Sequence, residues 1–339
     1  MNKNIFFIFI SVVISLCVMN SCSYEEDRLK VNVDHIKVDL KIDRMEKDLF
    51  ENSKNAKSKH QFLLKKYDKL YQYFFGFTIG AGDPFATNSH ERLNEFTQDS
   101  TMNLFYNEIS KNFKDFSKYK HQLTGAFKHY KYYFPDSTIP KVTTFYSNFE
   151  HKVLEIDDRL AIGLEMFLGK ENALIKQLPN IYPQYLKNKM ENQFLVSNVI
   201  YGFLYNRFYE SLGNDFISNI LSYGKVIYLL EAMLPESAKH ILMTYTKEEL
   251  DWCIKNETNI WEYIIDQEIL YSKDAKIIHN FTSEGPTNKG LPSESPSRVG
   301  VWIGYQIIKD YMIKNNTELT ALLKEKNINN ILKSYQPNE

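Results

Sequence analysis

The sequence predicts a mainly helical protein of the α+β kind, a single helical domain with a small antiparallel sheet set into it. Three observations carry that prediction. Apolar residues recur at helical spacing over most of the length. Short β-branched or aromatic runs are confined to residues 142–167. Beyond residue 35 there is neither an internal repeat nor an interior linker of real length, so residues 35–339 read as one globular domain.

Taken in order, the alternation Ile36-Lys37-Val38-Asp39-Leu40-Lys41-Ile42 suits a half-buried strand, and Lys47 to Lys59 is polar and loop-like. Leu63, Tyr67, Leu70 and Phe74 step by four, three and four, which predicts an amphipathic helix ending near Gly76. Met102, Phe105, Ile109 and Phe113 form a second stripe. Phe116, Tyr119, Leu123, Phe127, Tyr130 and Phe134 form a third, stopped by Pro135. Val142 to Tyr146 and Leu160 to Phe167 are the strand-like runs, separated by Asn148 and Asp157-Asp158.

Phe194 to Tyr209 and Phe216 to Met233 are apolar enough to be nearly surrounded by protein, with Pro235 ending the second. Thr246 and Glu249 have capping-box spacing, and a helix behind them extends toward Tyr271. Next comes a Gly/Pro-rich loop, Ser283 to Ser297. Ser295 is placed to cap a helix with Pro296 at its first position. Val301, Tyr305, Ile308 and Met312 share one face of that helix. Gly300 and Gly304, one turn apart, each weaken it by roughly 1 kcal/mol relative to Ala, so close approach of another backbone is expected there. Leu319, Leu322 and Leu323 close the fold.

The composition is 43% hydrophobic and 24% charged, as in a globular protein. With 23 Tyr and 23 Phe, much of the core must be built from rings whose hydroxyls need partners. A net charge of −1 gives no electrostatic footprint for nucleic acid.

The N-terminus carries the clearest short signal. Lys3 precedes an apolar stretch from Ile5 to Val18, shorter than the roughly 20 residues a membrane span needs and suited to an export signal. Met19-Asn20-Ser21-Cys22 then resembles the bacterial lipobox, in which the cysteine is acylated and the chain is cut before it. Residues 1–21 therefore read as a lipoprotein signal peptide, Cys22 as the lipidation site and residues 22–34 as a tether. Ser23 rather than Asp follows the cysteine, which points to the outer membrane, and Glu25-Glu26-Asp27 resembles a surface-export signal. Of the three cysteines, Cys17 would leave with the signal and Cys253, beside Trp252, reads as a small buried hydrophobe.

Catalytic signatures are missing. None of the eight His residues has a second His four positions on, and in His90-Glu91-Arg92-Leu93-Asn94 an asparagine holds the second ligand's place. His121 and His129 are two turns apart, too far for one ion. Gly285 to Gly290 lacks the Gly-Lys-Ser/Thr ending of a phosphate loop, and no Gly-x-Ser-x-Gly elbow exists. Glu165, Glu262 and Glu268 sit among apolar neighbours and are expected to pair with Arg159, Arg298 or Lys225. No catalytic, cofactor-binding or metal residue is assigned. The candidate interaction surface is Arg298 and Trp302, where the Ser283–Ser297 loop meets the last long helix; the favoured reading of Arg298 is that it merely ties that loop to a buried carboxylate.

SYGKVIYLLEAMLP (Ser222 to Pro235), YTKEELDWCIKNETNIWEYIIDQEILY (Tyr245 to Tyr271) and SPSRVGVWIGYQIIKDYM (Ser295 to Met312) resemble the gliding motility lipoprotein GldB family of Bacteroidetes. The resemblance covers nearly the whole mature chain. It implies a non-enzymatic envelope protein needed for gliding, partnered by other gliding and secretion proteins and by the membrane through its lipid, with no cofactor and no known reaction. The layout is also similar to exported helical zinc peptidases, whose HExxH helix would fall where this chain has Val199-Ile200-Tyr201-Gly202-Phe203. That implies a peptidase-like scaffold without its metal. An envelope hydrolase with an unrecognised active site is the alternative.

Overall fold

The computed structural model describes residues 28–337. Cys22, the signal-like segment before it and the acidic cluster 25–27 lie outside the described residues. Ten helices of eight residues or more are present among them. They are α1 (Ala56–Tyr67), α2 (Ser89–Gln98), α3 (Ser100–Asn112), α4 (Ser117–Tyr133), α5 (Leu195–Phe208), α6 (Phe216–Met233), α7 (Lys247–Lys255), α8 (Glu257–Asp266), α9 (Ala275–Thr282) and α10 (Val299–Lys314). Four strands, β1 (Ile42–Arg44), β2 (Lys141–Phe145), β3 (Val153–Ile156) and β4 (Arg159–Gly163), make one small sheet.

The predicted mainly helical α+β class is observed, but the sheet is mixed rather than antiparallel. Its order is β1-β2-β4-β3, with β1–β2 and β2–β4 parallel and only β3–β4 antiparallel. The connections decide this. The β3–β4 hairpin turns through Asp157, at φ 52°, and brings β4 back between β3 and β2. The four helices α1 to α4 separate β1 from β2, and a long crossover permits parallel pairing. Strand-like composition records neither fact.

The alternation from Ile36 to Ile42 is real in burial, with Lys37, Asp39 and Lys41 outward and Leu40 buried, yet only Ile42 and its successors join a ladder. Residues 28–34, read as tether, lie against the body. Leu29 and Val33 are buried, and Arg28 donates to the carbonyl of Met312 at 2.5 Å and to that of Thr317. Met312 is in the last turn of α10, where carbonyls lack helical partners and a cation is favoured.

Other boundaries shift for local reasons. The polar segment 47–59 holds the helix Met45–Phe50 and the start of α1, where Asn55 accepts from the Ser58 amide at 2.9 Å. The helix expected through Phe74 breaks at Asp68, φ 45°, although Leu63, Tyr67, Leu70 and Phe74 are all buried. The Thr246–Glu249 capping box forms as expected, but the helix behind it divides at Asn256 into α7 and α8. Ser295 does not cap α10. Its hydroxyl accepts from the Asn288 amide within the loop, and α10 begins only after Arg298, which is left-handed at φ 62°.

The core is centred on the crossing of α6 and α10. A Cβ on Gly304 would sit 1.9 Å from the carbonyl oxygen of Ile220, and one on Gly224 would sit 2.3 Å from that of Gly304. The two backbones are thus in van der Waals contact, the close approach that the paired glycines predict. Val301, Tyr305, Ile308 and Met312 are buried, and so is α6 along nearly its whole length. A second, ring-rich cluster (Tyr67, Tyr71, Phe74, Phe75 and Phe145 among its members) fills the space between α1 and the sheet. Buried tyrosine hydroxyls find partners, as at Tyr67 to Asp48 (2.6 Å) and Tyr335 to Glu257 (3.1 Å).

Candidate functional site

The head of α10 borders a cavity of about 220 Å³ lined by Asn198, Tyr201, Leu242, Thr244, Thr282, Glu284 and Arg298. Each wall has a local cause. Asn198 and Tyr201 stand three apart on α5 and so share a face. Thr244 ends the short helix Lys239–Met243 in a left-handed conformation, φ 56°, and accepts from Asn198 Nδ2 at 3.1 Å. Thr282 is the last residue of α9, and Glu284 follows it into the loop.

Glu284 is the electrostatic hub. Arg298 Nη1 reaches its Oε1 at 3.1 Å, and Lys189 Nζ reaches its Oε2 at 2.7 Å. Burial alone would raise this carboxyl, but the Arg298 and Lys189 charges outweigh burial and hold it at about 2. Lys152 lies close enough to feel Glu284, Lys189 and Arg298 together. Its deep setting pushes the ammonium down to about 8, Glu284 pulling up and the two cations pushing further down. Burial also raises Tyr201 to about 12. Arg298 Nη1 donates as well to the Met243 carbonyl at 3.2 Å, and Tyr245 O–H donates to that of Ser297 at 2.7 Å, so both sides of the loop's end are fastened to the helix Lys239–Met243 and its cap. A larger open cavity of about 820 Å³ lies along α9 and the loop, with His279, Lys276 and Lys289 in its wall and Glu284 again at its border.

The structure separates the two residues singled out as a candidate interaction surface. Arg298 borders the cavity and pairs with Glu284, a carboxylate of the Ser283–Ser297 loop itself. Trp302 is buried at 3% exposure, and its indole N–H has no acceptor among the described residues. One helical turn carries it from the entrance into the core. Of Val199 to Phe203, the segment expected to stand where a zinc peptidase would carry HExxH, Val199, Ile200 and Phe203 are core and Tyr201 lines the cavity. Among the described residues, no group of three or more His, Cys, Asp or Glu could hold a metal ion. His121 and His129 both border an open cavity of about 480 Å³ beside the end of α6. Cys253 is a free, buried thiol raised by burial, as its apolar neighbours imply.

The carboxylate pairings expected from sequence are replaced by others. Glu165 is wholly buried and meets no cation; its Oε1 accepts from the Ser147 and Phe149 amides at 2.8 and 3.1 Å and from the Ser147 hydroxyl. Arg159 pairs with Asp43, and Lys225 donates to the Glu325 carbonyl. Glu284, Lys189 and Lys152 were not marked by any motif. They are 95 and 132 residues from one another at the extremes, counting from Glu284, and no spacing rule connects them.

The family model described as gliding motility protein GldB matches residues 26–337. The chain belongs to the GldB family. No curated protein and no solved structure matches it. As a GldB protein it is a gliding motility component, and the matched span contains the α6–α10 crossing and every residue of the charged cavity. No described helix of this GldB chain is long and apolar enough to cross a membrane.

Proposed function

We propose that this GldB protein is a lipid-anchored component of the gliding apparatus that works by contact with other envelope proteins and performs no catalysis. An acyl chain on Cys22 holds it at the membrane, by sequence preference the outer one, and its partners are other gliding and secretion proteins. The reading rests on the family match over residues 26–337, with the lipobox-like Met19-Asn20-Ser21-Cys22 just ahead of it. A single acyl chain binds membranes only marginally, so dual acylation is the expected form.

The test is Cys22→Ser in cells. Palmitate labelling should disappear, the protein should leave the membrane fraction, and spreading over surfaces should fail. Unchanged membrane retention and motility would refute the anchor. Crosslinking in intact cells should capture gliding proteins, whereas turnover of a peptide or glycan library by the purified protein would refute the non-catalytic reading.

A further inference from the structure

Residues 28–34 follow closely on Cys22, and they are fastened to the body rather than loose. Arg28 donates to the Met312 carbonyl at 2.5 Å and to that of Thr317, and Leu29 and Val33 are buried. The Val31 N–H donates to the Leu29 carbonyl and the Ile36 N–H to that of Val33, both at 3.0 Å, so the segment is turned onto the body. A cavity of about 410 Å³ is walled by Arg28, Leu29 and Val31 together with Tyr132 and Tyr133 at the end of α4 and Met312 near the end of α10. The docked segment and the two helix ends therefore form one face.

Fastening shortens the leash to the membrane. A free stretch over residues 22–34 would reach about 45 Å when fully extended. With Arg28 held, only residues 22–27 remain, and their reach is about 20 Å. Helix α10, at 16 residues, is about 24 Å long, and a body of this size is about 50 Å across. Only a leash pulled nearly straight would let the head of α10 come down to the bilayer. Straightening costs conformational entropy that the opposite arrangement keeps. The near face also suits a lipid boundary. Tyr132 and Ile313, the latter next to Met312, are large side chains left 44% and 38% exposed, and tyrosine is favoured where membrane meets water.

We propose that the face formed by residues 28–34 and the C-terminal ends of α4 and α10 lies against the lipid bilayer. The head of α10, with the Ser283–Ser297 loop and the charged cavity, then points away from the membrane, toward partners. This rests on the anchor at Cys22 and adds which side of the body the anchor turns to the lipid.

The test uses full-length protein purified in detergent and reconstituted into liposomes of phosphatidylethanolamine and phosphatidylglycerol. A photoreactive benzoylphenylalanine is placed singly at Tyr132, Glu318 or Lys289, all exposed, and lipid adducts are counted by mass spectrometry after illumination. Tyr132 and Glu318 border the near cavity, and Lys289 belongs to the loop ahead of α10. Adducts at the first two should exceed those at Lys289 at least about threefold, because the leash is shorter than α10 is long. Inserting about fifteen Gly/Ser residues between Asp27 and Arg28 should bring Lys289 up to the level of Tyr132. Equal adducts at all three positions without the insertion overturn the proposal. So does a ratio that the insertion leaves unchanged, since the leash would then not be its cause. Mass spectrometry of the N-terminal peptide reports on the acyl chain separately. If Cys22 carries none, the anchor reading fails by itself, and coupling Cys22 to a maleimide-bearing phospholipid supplies the anchor so that the orientation is still read; Cys253 is buried and does not compete.

Discussion

Helix α10 runs from a charged entrance into a close-packed middle, and the two stretches follow different rules. In the middle, Gly304 and Gly224 let backbones touch, and buried side-chain polar groups are tied off: Tyr305 O–H donates to Glu231 at 2.5 Å and Gln306 to Glu257 at 2.9 Å, with the Trp302 indole N–H the exception. At the entrance, Arg298 stands in a left-handed conformation and shares one carboxylate, Glu284, with Lys189. The middle is what a fold needs for stability. The entrance carries charge and strain that stability alone does not require, which is why the two should respond differently to substitution.

The largest difference is expected at the crossing. Gly304→Ala should destabilise by about 3 kcal/mol, because its methyl meets the Ile220 backbone and cannot be relieved by rotating a side chain. Denaturant midpoints measure it, and a neutral outcome would show that the helices can slide apart. Arg298→Ala should lower stability by about 2 kcal/mol, through the lost bonds to Glu284 and to the Met243 carbonyl, while Lys189 still holds Glu284. A loss as large as that of Gly304→Ala would mean that the entrance is as structural as the middle. Gly125→Ala is the contrast within a helix: a methyl there meets nothing within 4 Å, so stability should rise by about 1 kcal/mol from helix propensity.

pH separates the regions in another way, because two buried carboxylates carry opposite signs. Glu284 is held at about 2 against an ordinary 4.5, so the folded state favours its charged form. Its contribution is present above pH 4.5 and lost as pH falls toward 2. Burial raises Glu165 to about 7, against the opposing pull of its Ser147 and Phe149 hydrogen bonds. The folded state there favours the proton, and stability falls as pH rises from 4.5 to 7. Chemical denaturation across pH should show Glu284→Gln flattening the acid limb and Glu165→Gln flattening the limb from 4.5 to 7. If Glu165→Gln leaves that limb unchanged, its buried setting is less dry than its surroundings indicate.

Much of the middle was readable in advance. Helical spacing marked Val301, Tyr305, Ile308 and Met312, the paired glycines announced a backbone contact, and Thr246 with Glu249 marked a cap that forms. These signals are local, set by the helix repeat or by one residue's conformational freedom. The same local logic failed at Ser295, whose hydroxyl serves Asn288 in its own loop, and at Asp68, where a helix breaks with no sequence warning. Strand direction was not readable either, because β-branched runs mark strands without saying how they connect.

Helix placement, the core face of α10 and the family resemblance later borne out over residues 26–337 came from the order of residues alone, since periodicity and segment similarity are properties of the chain. The charged cavity belongs to tertiary structure. Asn198, Thr244, Glu284 and Arg298 come from separate segments and meet only because α5, α9 and α10 converge there. Coulomb energy depends on distance through space, and no pattern along the chain encodes that distance.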